Sequence, residues 1–173
     1  MPSILFVCTA NICRSPLAEA LMKDIVSRLP DASNWRIASA GTWADDGYEA
    51  AYYSQRVMQA RGIDLSNHLS QPVTAELLES FDLVLTMERG HKEALQAEFP
   101  AKASLIFMLS EMVGSEYDIN DPIGGVYEDY EATAKELEGI LNQGMDRIQQ
   151  LMAPRKTARI KKPGRKSVGR KTR

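Results

Sequence analysis

Cys8-Thr9-Ala10-Asn11-Ile12-Cys13-Arg14-Ser15-Pro16 is the stretch on which the reading of this chain turns. The apolar run Ile4-Leu5-Phe6-Val7 leads into it, and Leu17-Ala18-Glu19-Ala20-Leu21 leads out. The pattern predicts a buried strand, a short loop and a helix whose first turn carries Ser15 and Pro16. Proline at that position needs no donor, and serine is a favoured cap just before it. Loop amides at such a junction line a cup at a helix N-terminus, which is an anion site. Cys8 opens the cup and Arg14 closes it. The helix N-terminus and Arg14 both favour a thiolate over a thiol, and Arg14 can fork onto two oxygens of a phosphate-like anion. A nucleophile at the base of an anion cup points to phosphoryl transfer through cysteine. Taken alone, a cysteine after an apolar strand is an ordinary core residue; Asn11, Arg14, Ser15 and Pro16 give the reading its force. Ala10 resists positive φ, so Asn11 is expected to carry any left-handed position in the loop.

Outward from the loop, apolar runs predict further strands over 34–40, 82–87 and 104–109. Helical spacing predicts helices over about 16–28, 50–61, 88–99 and 126–152, with a short one capped by Thr74. Continuous apolar strands separated by helices mean an α/β fold, a single domain with a four-stranded parallel sheet and helices on both faces. The last helix should bury Tyr130, Ala134, Leu137, Leu141, Met145, Ile148 and Leu151. The apolar period stops at Ala153, so residues 1–153 read as the domain and 154–173 as a basic tail expected to be disordered.

The 173 residues suffice for one domain with a sizeable core, and 44% hydrophobic with 25% charged residues is ordinary for a soluble protein. No apolar run approaches the roughly 20 residues of a membrane span, and no signal segment is visible. The only two cysteines lie five apart in one loop, which is no disulfide framework and fits a cytoplasmic location. No Cys/His spacing suggests a metal, and the isolated His91 reads as helical surface. The net charge of −2 hides a division: residues 154–173 hold ten Lys or Arg and no acid, against all 23 acids in the body. Such a tail can seek an acidic partner, whether nucleic acid, anionic lipid or an acidic protein face.

The opening stretch closely resembles the signature of the low-molecular-weight protein-tyrosine phosphatases, although that family most often has Gly where this chain has Ala10. Ser39-Ala40-Gly41-Thr42 and Gly62-Ile63-Asp64-Leu65-Ser66 are also similar to the family, and the resemblance spans residues 3 to about 152. It implies a metal- and cofactor-free phosphatase acting on a phosphorylated protein through a phosphocysteine at Cys8. Thr9, Ala10, Asn11, Ile12, Cys13, Arg14 and Ser15 would form the phosphate-binding loop. Asp121 in Asp121-Pro122 would be the general acid, with Pro122 stiffening the turn and Gly124-Gly125 letting the loop move. Asn11, Ser15, Ser39 and His68 would support the loop. Ser15 has two possible jobs, helix cap or thiolate donor. Cys13 also has two: a small core residue, or a redox partner that traps oxidised Cys8 as a disulfide, which the resemblance favours.

Substrate choice is divided. Ile12 matches tyrosine-directed relatives, which have an apolar residue there, whereas arginine-directed relatives have Thr. Ile123-Gly124-Gly125 looks more like the arginine-directed pattern, since tyrosine-directed relatives often have an aromatic residue after Asp-Pro. Trp43, Tyr127 and Tyr130 are candidates for the missing aromatic wall. Phosphotyrosine is the reading preferred on Ile12. The alternatives are a protein-arginine phosphatase, an arsenate reductase (disfavoured without a third cysteine) and a non-catalytic phosphate-binding module with a nucleic-acid-associated tail.

Overall fold

The computed structural model describes residues 1–153. Strands β1 (Ser3–Cys8), β2 (Arg36–Gly41), β3 (Leu83–Thr86) and β4 (Ile106–Met108) form one parallel sheet in the order β2-β1-β3-β4. Helices α1 (Arg14–Ser27), α2 (Tyr52–Gln59), α3 (Ala75–Glu79), α4 (Arg89–Glu98) and α5 (Tyr127–Met152) connect and cover it. Every residue of β1 is buried, because both faces of the central strand are covered. Ile4 and Phe6 face a core shared with Leu17, Leu21, Leu137 and Leu141 of α1 and α5, whereas Leu5 and Val7 face Leu78 and Leu95. The alternation of β1 thus divides one apolar run between two layers.

The helices follow the spacing in the sequence with local exceptions. Ile25 and Leu29 are only half-buried, while Met22 and Val26 take the inner positions. Short 3-10 turns at Ala32–Asn34, Pro100–Leu105 and Leu109–Val113 shorten the predicted second and fourth strands. Thr74 caps α3 as expected, its Oγ1 accepting from the Leu77 amide at 3.1 Å. Gly144 lets α5 lie against the backbone of Met112, where a Cβ would approach within 2.6 Å of the Met112 Cβ.

The sheet places the carboxyl ends of β1, β2 and β3 side by side, Cys8 pairing with Gly41 and Val7 with Thr86. In an open parallel sheet that edge is where ligands bind. Among the described residues, no helix is long and apolar enough to cross a membrane. The tail and its expected acidic partner lie outside the described residues.

Candidate active site

The loop that leaves β1 is held from outside by its carbonyls. Cys8 O accepts the Thr42 amide (2.9 Å), Thr9 O the Trp43 amide (2.9 Å), and Ile12 O the Ala51 amide (2.8 Å). Asn11 O accepts from His68 Nε2 at 2.7 Å. A trans peptide sets its N–H opposite its C=O, so outward carbonyls turn the amides into the cup. Gly41 is required by this arrangement, because a Cβ there would lie 2.4 Å from Thr9 O and 3.0 Å from the Asn11 nitrogen.

Among the described residues, Asn11 is the one non-glycine residue with positive φ, at 56°. Its Nδ2 donates to Ser15 Oγ (2.8 Å) and Ser39 Oγ (2.9 Å), and its Oδ1 accepts the Gln71 amide (3.0 Å). With the His68 bond, four hydrogen bonds at about 1 kcal/mol each outweigh a strained backbone position of about 1–3 kcal/mol. Ser39 Oγ in turn donates a hydrogen bond to Glu19 Oε2 at 2.5 Å. Asn11, Ser15, Ser39 and His68 are thus brought together around the loop by hydrogen bonds, and Glu19 and Gln71 extend the set.

Ser15 does not cap the helix. Cys13 occupies the cap position, without a side-chain cap bond, and α1 begins at Arg14 rather than at Pro16. Ser15 Oγ lies 3.0 Å from Cys8 Sγ, committed to the sulfur and to Asn11. Cys13 is buried, and its Sγ is 3.7 Å from the Tyr130 hydroxyl. Burial pushes the Cys13 thiol up to about 11. Both cysteines are free.

Arg14 is 1% exposed. Its Nη1 donates to Glu88 Oε1 and to Ile119 O (2.8 Å), and Nη2 to Asp121 Oδ2 (2.8 Å). Its Nε is buried without a partner among the described residues, a charge-assisted donor left for an anion. Asp121 Oδ1 accepts the Ile123 amide at 3.2 Å. The Gly124-Gly125 pair is tied down, contrary to expectation. Gly124 takes φ 78° and the Gly125 amide donates to Pro122 O at 2.9 Å. A Cβ on Gly125 would strike Asp129 Oδ2 at 2.3 Å, so the glycines serve a tight turn.

His91 corrects the sequence reading further. It is 7% exposed, not helical surface, and its Nε2 lies 2.9 Å from Thr9 Oγ1. Glu88 and His91 were both missed, although they follow directly on an apolar parallel strand, where ligand-facing side chains collect. Of the aromatic candidates, Tyr130 is buried and packed on Tyr53, and Tyr127 meets Tyr53 edge-on. Trp43, 87% exposed and tied by its amide to Thr9, stands beside the cup.

Comparison with known proteins agrees with this geometry. The family model described as low molecular weight phosphotyrosine protein phosphatase matches residues 3–155. A protein-arginine-phosphatase of Bacillus subtilis (strain 168) is 43% identical over 141 residues, 81% of this chain and 92% of that protein. A probable low molecular weight protein-tyrosine-phosphatase, EpsP, of Ralstonia nicotianae is 42% identical over 120 residues, 69% of this chain and 77% of that protein. The crystal structure of a low molecular weight protein tyrosine phosphatase from T. tengcongensis superposes with a TM-score of 0.80, at 37% identity, covering 85% of this chain and 99% of that one. With its cysteine loop, its parallel sheet and the match over residues 3–155 in accord, this chain belongs to the low molecular weight phosphotyrosine protein phosphatase family.

Proposed function

We propose that this chain hydrolyses phosphotyrosine in proteins through a phosphocysteine formed on Cys8, with no metal in the scheme. The observation that carries the reading is Arg14: buried beside the cysteine loop, it keeps one unpartnered donor and holds the Asp121 carboxylate. Cys8 attacks phosphorus, the inward amides and Arg14 stabilise the charge on the phosphoryl oxygens, and Asp121 gives the leaving oxygen its proton. Asp121 then takes a proton from the water that hydrolyses the phosphocysteine. Ser15 stabilises the thiolate, while Asn11, Ser39 and His68 hold the loop. The segment 154–173 stands apart from this chemistry and offers its positive charge to an acidic partner.

Ile12 supports the tyrosine reading, since a half-buried branched side chain suits an aromatic ring and offers a guanidinium no hydrogen bond. Exposed Trp43 can supply the outer aromatic wall. A protein-arginine phosphatase is the second reading, favoured by Ile123-Gly124-Gly125 and by the name of the Bacillus subtilis relative. Wild type is expected to favour phosphotyrosine over matched phosphoarginine peptides in kcat/KM, and Ile12→Thr to move the ratio toward phosphoarginine. Faster cleavage of phosphoarginine by wild type would hand the assignment to the second reading.

Cys13 supports a redox expectation within the same scheme. Peroxide should inactivate wild type reversibly, by oxidising Cys8 to a sulfenic acid whose sulfur the Cys13 thiol attacks, forming the S–S bond as the S–O bond breaks and water leaves. Cys13→Ser should be inactivated more permanently. Mass spectrometry of oxidised wild type without a Cys8–Cys13 bridge would leave Cys13 as a core residue only.

A further inference from the structure

His91 is a buried imidazole that the proposed chemistry does not use. It sits in the first turn of α4, and its Nε2 lies 2.9 Å from Thr9 Oγ1. The same hydroxyl faces Arg14 Nη2 at 3.5 Å. An arginine nitrogen only donates, so Thr9 Oγ1 is the acceptor in that contact. Thr9 itself is exposed at the mouth of the loop, where nothing but these two contacts fixes its hydroxyl among the described residues. We propose that His91 is a positioning residue that acts through Thr9, holding the hydroxyl against Arg14 Nη2 and so keeping the guanidinium turned for two phosphoryl oxygens. The inference rests on the reading of the cup as the phosphate site.

The surroundings of His91 favour a neutral imidazole. Burial lowers its pKa below the ordinary histidine value, and Arg14 acts in the same direction. Glu88, Asp118 and Asp121 act oppositely, from the start of α4 and the segment before α5. Nδ1 is buried with no partner among the described residues, an arrangement that costs stability and brings no packing benefit an apolar residue would lack. A residue kept at that cost is accounted for by what Nε2 does.

The test is a double-mutant cycle on His91 and Thr9, read by kcat/KM on an aryl phosphate and by calorimetric binding of inorganic phosphate. His91→Leu and Thr9→Val should each lower kcat/KM by about tenfold, the worth of one buried hydrogen bond, and weaken phosphate binding. The double variant should lose no more than either single one, because both remove the same contact. His91→Gln can reach Thr9 with its amide and should recover most of the loss at unchanged Tm. Losses that multiply in the double variant, or a His91→Gln protein as impaired as His91→Leu, would overturn the proposal. Phosphate binding reads His91 without turnover, so an active-site failure elsewhere is told apart. A wild type that neither binds phosphate nor turns over would overturn the reading of the cup and this inference with it.

Discussion

Cys8→Ser is expected to cut turnover of an aryl phosphate by roughly 10⁴-fold or more, the scale seen when a covalent nucleophile is removed. A serine hydroxyl at neutral pH is a far weaker nucleophile than a thiolate. The neighbouring Ser15 Oγ, 3.0 Å from the sulfur, is itself a hydroxyl already bonded to Asn11. Phosphate or vanadate binding should survive, because the inward amides and Arg14 are untouched. Calorimetry alongside kinetics separates the two. Full activity in Cys8→Ser would end the phosphocysteine mechanism.

Asp121→Asn should give the second-largest effect, and its size should depend on the leaving group. A positioned acid contributes roughly 10²–10⁴-fold, so poor leaving groups such as alkyl or unactivated phenyl phosphates should slow by that amount. Nitrophenol departs without much help, and its ester should be affected least. Asp121 now accepts from Arg14 Nη2 through Oδ2 and from the Ile123 amide through Oδ1, and asparagine keeps one acceptor oxygen for one of these two bonds. With that oxygen on the Ile123 amide, the substitution removes the proton and keeps the turn, at the loss of the Arg14 contact. An equal loss across leaving groups would mean that Asp121 works only by holding Arg14.

The sheet and the cup were legible in the sequence because their signals are local. Ile4 to Val7 reads as a strand buried on both faces, and positive φ falls on Asn11, as Ala10 in the loop implied. Ser15 could not be assigned from sequence, since cap and thiolate donor need the same residue at the same place. His91 was misread because helical spacing shows which residues share a face but not which loop covers it; Thr9 comes from the loop after the neighbouring strand β1, 82 residues earlier in the chain. Gly124-Gly125 was misread for a related reason. Glycine is used both where a chain moves and where it must turn tightly, and the contact with Asp129 decides between them.

The wiring of Arg14 also bears on how the protein is made. Its partners Ile119 and Asp121 lie 105 and 107 residues further along the chain. Closing so long a loop carries an entropy cost that is met only once the intervening strands have docked. During synthesis the cysteine loop emerges first, yet its arginine has no fixed direction until the segment before α5 has left the ribosome. The nascent chain therefore carries the nucleophile long before it carries a working site, and competence arrives with the completion of the domain.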